Sequence, residues 1–216
     1  QTLDEWKVEL QQALNIGLNH LSLYQLTIEN GTAFGDRYAA GKLSGLPDED
    51  LASDLFEMTR ELCVSNGLPA YEVSNHARMG HECRHNLVYW NYGDYAGIGP
   101  GAHGRLTLDQ SRYSTETYRQ PSKWLSEVKN GSGDSSVISL SYEDQGIEMV
   151  LMGMRLSRGI SIKRLQMFFG KLPCQGVLTD LTSQGLIEMK SDRIQTTEHG
   201  TLLLNYVIQK ILAGLS

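Results

Sequence analysis

HECRHNLVYWNYGDYAGIGPGAHG, residues 81–104, is the stretch that decides how this 216-residue chain is read. Four of the six histidines fall between His76 and His103. Tyr89, Trp90, Tyr92 and Tyr95 supply aromatic rings, and Gly93, Gly97, Gly99, Gly101 and Gly104 punctuate them. Imidazoles, phenols and glycines at this density mark the stretch as the functional centre.

Three patterns overlap there. His81-Glu82-Cys83-Arg84-His85 fits H-E-x-x-H, in which one helix face presents two imidazoles to zinc and the glutamate activates a bound water. That motif needs helix on both sides. Gly80 precedes it, and Val88-Tyr89-Trp90 after it favours strand, so the zinc reading is set aside. Gly99 to Gly104 fits G-x-G-x-x-G, but the dinucleotide fingerprint needs a helix next. Arg105-Leu106-Thr107-Leu108 reads instead as a strand, so the glycines imply close backbone approach to a ligand or a neighbouring strand. The third pattern is His85-Asn86-Leu87-Val88-Tyr89. Residues four apart share a face in a helix and also in a strand, so His85 and Tyr89 point the same way in either. Both ring types ligate haem iron. Both also serve as hydrogen-bonded fillers of a packed surface, and on residue types alone that second reading weighs more.

Working outward, Thr2–Leu18 carries Leu3, Trp6, Leu10, Ala13 and Leu14 at helical spacing, with Thr2 and Glu5 as a capping box and Gly17 as a stop. Residues 20–28, HLSLYQLTI, predict a buried strand. Asp48–Asn66 predicts a second helix, with the acidic run 48–50 as its N-terminus. Residues 71–73 predict a short strand. Helix–strand order repeated in this way predicts an α/β layout with parallel strands. Residues 94–99 predict a third strand, 105–108 and 112–115 a hairpin, and 121–128 a helix. Asn130–Asp134 reads as a linker. Beyond it the pattern changes to helices over 142–158, 161–169 and 173–183, a hairpin around Ser191-Asp192, and a last helix over 202–212, a winged-helix arrangement. Met149, Met152, Met154 and Met167 read as core filler, and His20 and His199 as structural.

Composition is that of a soluble globular protein, with 40% hydrophobic and 20% charged residues. A net charge of −6 argues against broad nucleic-acid or anionic-membrane binding. The helix over 173–183 would be the DNA-reading element, and no Lys or Arg occurs from Leu172 to Ile187. No apolar run approaches the ~18 residues of a membrane span. Cys63, Cys83 and Cys174 are few and far apart, which suits a reducing cytoplasm. The chain opens at Gln1 on a helix with no strand before it, which predicts that a segment precedes it.

SLYQLTIENGT (22–32), LPDEDLA (46–52), YEVSNHARMGHECRHNLVYW (71–90), GDYAGIGPGAHGR (93–105) and TEHG (197–200) together resemble the HemW-type haem chaperones. These are relatives of oxygen-independent coproporphyrinogen III oxidase in the radical S-adenosylmethionine (SAM) superfamily, and the resemblance runs the whole chain in order. It implies an α/β fold: the C-terminal part of an open, partial (β/α) barrel over 1–116, a connecting helix and linker over 117–134, and an α+β winged-helix-like domain over 135–216. The family's [4Fe-4S] cluster motif, CxxxCxxC, and its glycine-rich SAM motif would lie upstream of Gln1. The cluster and SAM are therefore expected in the intact protein and not in this chain. The family's haem-binding H-N-x-x-Y motif falls on His85, Asn86 and Tyr89, and it separates the chaperones from the oxidases. Thr27, at a strand end, and His103 match places where the oxidase touches SAM, although the oxidase has other residue types at both. The resemblance implies a cytoplasmic haem carrier with an unidentified haem-acceptor protein, no nucleic-acid partner and no integral membrane segment. An active coproporphyrinogen III oxidase is the alternative.

Overall fold

The computed structural model describes residues 1–215. The chain divides into two compact units, Gln1–Glu82 and Cys83–Ser216.

In the first unit, α1 (Leu3–Asn15) starts on the expected capping box: the Thr2 hydroxyl accepts from the Glu5 amide, and the Glu5 carboxylate accepts from the Thr2 amide. Strand β1 (His20–Ser22) follows, then α2 (Ala33–Ala39), α3 (Glu49–Ser65) and β2 (Asn75–Ala77). Asp48 caps α3 by accepting from the Leu51 amide. The core is small. Leu10 and Leu14 of α1 pack with Cys63 and Leu68, and Trp6, Leu21, Leu23 and Leu62 close around them. The Trp6 indole donates to the Thr59 hydroxyl at 2.7 Å, tying α1 to α3.

Here the sequence expectations need correcting. The strand expected over 20–28 ends at Ser22, and that expected over 71–73 lies instead at Asn75–Ala77. The two pair antiparallel, His20 opposite Ala77, not parallel. Helix–strand order implies parallel neighbours only when successive strands enter one sheet in the same sense. Beyond Leu23, whose amide reaches Ser74 at 2.8 Å, the segment to Asn30 is irregular. It borders a cleft of about 740 Å³ lined also by Trp6, Phe56 and His76.

The second unit begins with α4 (Arg84–Trp90) and continues through β3 (His103–Leu108), β4 (Ser111–Thr117), α5 (Pro121–Lys129) and β5 (Asp134–Ser139). The three strands form one antiparallel sheet, β3-β4-β5. The β3–β4 hairpin was expected; Asp109 and Gln110 turn it with φ of 48° and 65°, both left-handed as a two-residue hairpin turn requires. The strand expected over 94–99 is reduced to Tyr95, which bridges to Arg105. The stretch read as a linker is a tight turn from α5 into β5. Gly133 accepts from the Tyr118 amide at 3.1 Å, and a side chain there would meet the Trp124 indole at 2.5 Å.

Next come α6 (Tyr142–Gly153), β6 (Ile160–Ser161), α7 (Ile162–Phe169), α8 (Gln175–Ser183), β7 (Ile187–Lys190), β8 (Arg193–Thr196), α9 (Glu198–Leu202) and α10 (Leu204–Ala213). Strands β6-β8-β7 make a second antiparallel sheet. Ser141 and Asp144 form a capping box on α6. The last helix is broken at Leu203, whose φ of −106° and ψ of 26° leave the helical region. Met149 and Met154 are core residues, each 1% exposed, whereas Met167 is 58% exposed and fills no core. Among the described residues no helix is long and apolar enough to cross a membrane.

His76 gives the first unit a pH dependence. Its ring is 2% exposed, and burial, aided by the charge of Arg60, lowers its pKa from 6.5 to about 4. The unfolded chain therefore takes up the proton first as pH falls, and stability present above pH 6.5 drains away down to about pH 4. The expected loss at pH 4 is about 3 kcal/mol. Urea midpoints measured across that range should fall for the parent and stay flat for His76→Gln; a flat parent profile contradicts a neutral buried ring.

Candidate functional site

The seven residues of α4 carry the H-N-x-x-Y pattern. The helix starts at Cys83 without a side-chain cap, and none of its residues is fully buried. Its end is more tightly specified. The Asn91 side chain donates back to the Leu87 carbonyl at 2.7 Å. The Tyr92 amide then donates to Tyr89 and the Gly93 amide to Val88, both at 2.8 Å. These are the paired bonds of a Schellman stop, with Tyr92 at the left-handed position, φ 56°. Glycine usually sits there, because a side chain adds about 1–2 kcal/mol of strain.

Helical spacing puts His85 and Tyr89 on one face, as expected. The Tyr89 hydroxyl lies 3.0 Å from His85 Nε2, within hydrogen-bond distance. The rings meet edge-on with centroids 4.9 Å apart. His85 is exposed and Tyr89 half-buried, so the pair looks outward and is not sealed in a core. Asn86 is half-buried in the same turn. Tyr95 packs behind Tyr89, centroids 4.4 Å apart at 65°.

A buried polar network holds these rings. Arg112 is 8% exposed, and its guanidinium lies 4.0 Å from the Tyr92 ring centroid. It donates to the Gly93 carbonyl at 2.8 Å and to the Asp94 carboxylate at 2.6 Å. Tyr95 exchanges two backbone bonds with Arg105, at 2.7 and 2.9 Å. Arg105 in turn grips Glu148 of α6 with Nε at 2.9 Å and Nη2 at 2.7 Å. Burial alone would raise the Glu148 carboxyl; hydrogen bonding from Arg105 and Tyr92, together with the charges of Arg105 and Arg112, outweighs it and holds the carboxyl below the usual range. Burial pushes the Tyr92 and Tyr95 phenols up. Arg158 reaches the Asn91 side chain at 2.5 Å and Arg164 the Asn91 carbonyl at 2.9 Å, so the end of α4 is gripped from beyond α6 as well.

The other patterns resolve differently. His81 and Glu82 precede the helix, so H-E-x-x-H has no single helix face. Gly99 to Gly104 runs into β3 and not into a helix. Within that run close approach constrains only Gly104, where a side chain would meet the Thr115 hydroxyl at 2.4 Å; Gly99 and Gly101 instead carry positive φ, 103° and 71°, and just upstream a side chain on Gly97 would meet the His103 carbonyl at 2.4 Å. His103 opens β3, half-exposed, with Nδ1 3.5 Å from Glu116. Thr27 is exposed in the irregular segment and is not a strand end. Cys63 is buried and its thiol is pushed up to about 11 by burial, which disfavours the thiolate a cluster needs. Among the described residues no group of three or more His, Cys, Asp or Glu side chains is placed to hold a metal ion. Sequence reasoning missed Arg105, Arg112 and Glu148, whose partners lie far along the chain.

Residues 140–203 match the HemN C-terminal domain. The chain is 35% identical to the heme chaperone HemW of Escherichia coli over 99% of its own length and 55% of the relative's. It is 33% identical to radical S-adenosyl methionine domain-containing protein 1, mitochondrial, of Mus musculus over 100% of its length and 51% of the relative's. It thus spans about half the length of the curated relatives it matches. Among solved structures, coproporphyrinogen III oxidase (HemN) of Escherichia coli, a radical SAM enzyme, superposes with a TM-score of 0.71 at 17% identity, over 100% of this chain and 52% of that one. That likeness establishes the α/β fold. The resemblance to HemW-type chaperones, first drawn from five motifs, holds from end to end.

The Arg105–Glu148 pair is four-fifths buried and bidentate, a geometry an ammonium cannot reproduce. Arg105→Lys should therefore lower the stability of the second unit by about 1–3 kcal/mol in urea unfolding followed by tryptophan fluorescence. An unchanged midpoint would show that the pair contributes nothing.

Proposed function

We propose that this chain, similar along 99% of its length to a HemW haem chaperone, presents the haem-binding face of such a protein at His85, Asn86 and Tyr89. The observation that carries the proposal is the exposed imidazole–phenol pair, Nε2 and hydroxyl 3.0 Å apart on one helix face. Both groups ligate ferric haem iron. Haem is the cargo, and a haem-acceptor protein is the recipient, in the cytoplasm and without nucleic acid.

The finer fold assignments belong to the same reading. Residues 1–116 supply part of an open (β/α) barrel. The helix α5 and the turn after it, 117–134, connect to a winged-helix-like domain over 135–216, in which β7 and β8 are the wing. The [4Fe-4S] cluster and SAM belong to the whole protein, with Thr27 and His103 as SAM-facing positions of this chain.

The fold likeness to the oxidase favours a second reading, radical-SAM decarboxylation of coproporphyrinogen III. Anaerobic assay of the intact protein, reconstituted with cluster and SAM, discriminates: absence of decarboxylated product removes the oxidase. For the carrier, ferric haem is titrated into the parent protein and the His85→Ala/Tyr89→Ala variant. The Soret change should saturate in the parent and be lost in the variant. Equal titrations would overturn the assignment of these residues.

A further inference from the structure

We propose that Tyr95 is a positioning residue for the haem-facing phenol, with its ring holding Tyr89 in line with His85. The inference rests on the reading that His85 and Tyr89 meet haem. A phenol on a surface helix has several staggered rotamers open to it, and something must select one. His85 contacts Tyr89 on one side, but that contact is exposed and water competes for it. Tyr95 is its second ring contact, centroids 4.4 Å apart, and Tyr95 itself is half-buried.

Tyr95 is also the less mobile of the two supports. Its amide and carbonyl are both engaged by Arg105, at 2.7 and 2.9 Å. Arg105 is anchored on Glu148 by two guanidinium nitrogens. A continuous track therefore runs from α6, inside the region matching the HemN C-terminal domain, to the back of Tyr89. An imidazole nitrogen that ligates iron no longer accepts the phenol's proton. Tyr95 is then the contact that keeps Tyr89 where haem finds it.

The test compares ferric haem binding by the parent protein, Tyr95→Phe and Tyr95→Leu, followed by Soret spectrum and affinity. Tyr95→Phe keeps the ring and should match the parent in both. Tyr95→Leu removes it and should bind about three- to tenfold more weakly, the worth of one aromatic edge contact, with its Soret band moved toward that of Tyr89→Phe. Where circular dichroism shows Tyr95→Leu unfolded, Tyr95→Met replaces it under the same criteria. Parent-like affinity and spectrum in the ring-deleted variant overturn the proposal, and so does Tyr95→Phe falling as far as Tyr95→Leu. If His85→Ala/Tyr89→Ala binds haem like the parent, the haem reading falls and this inference with it. If that variant is dead while Tyr95→Leu is normal, only this inference falls.

Discussion

The turn out of α4 depends on one buried guanidinium, that of Arg112. A seven-residue helix with no side-chain N-cap and no fully buried residue is far below the length at which helices persist alone in water. The orientation of α4 must come from its tertiary anchors. Arg112 supplies the central one. It lies against the Tyr92 ring and takes the carbonyls of Tyr92 and Gly93 together with the Asp94 carboxylate. Those are the residues that turn the chain out of α4 through a left-handed tyrosine. The strain at Tyr92, about 1–2 kcal/mol, is tolerated because packing and three acceptors determine the turn redundantly. Arg112 Nε itself is buried with no partner. A network that leaves a charged group's donor unmet is a poor stability device. Its effect is to select one conformation of the turn, and through the turn one orientation of the His85–Tyr89 face.

How much of this was legible in the sequence follows the range of the interactions. Local devices were readable. Thr2/Glu5, Asp48 and the hairpin act within a few residues, and the residues concerned have the needed chemistry, although the hairpin loop read over 109–111 is one residue shorter, since Ser111 already pairs with Leu108. The shared face of His85 and Tyr89 was readable because even spacing places them together in either regular structure. Tyr92 was not readable as a helix stop, since glycine or asparagine is the usual signal. The partners that make its conformation tolerable come from β4, and Glu148 reaches Arg105 across 43 positions. Pairing sense was misjudged for a related reason. Alternating helices and strands do not say which strand sits beside which, and β1 finds β2 in the antiparallel sense.

The segment after β1 shows the same dependence on neighbours. Residues 23–28, LYQLTI, have strand-forming composition, yet the β1–β2 ladder stops at Ser22. Tyr24 and Leu26 are left 74% and 66% exposed. A strand exists only where another backbone satisfies its amides and carbonyls, so propensity without a neighbour yields an irregular chain. The curated relatives are about twice as long as this chain. α4 is different, because its anchors Asn91, Arg105, Arg112 and Glu148 all lie in its own unit.

That contrast bears on what a carrier of cargo requires. A deep apolar pocket would bury a porphyrin on both faces and release it slowly, since affinity differences appear mostly in the rate of departure. The His85–Tyr89 face has one ring exposed and the other half-buried. Affinity at such a site depends on how little ordering remains to be done when the ligand arrives. The buried charges behind α4 do that ordering in advance: Arg112 sets the turn, Arg105 and Glu148 set the strand beside it, and Arg158 and Arg164 hold Asn91. Rigidity is thus placed beneath the surface and exposure at it. A face built this way meets whatever reaches it from solvent without reorganising first, which is the property the proposed carrier role would draw on.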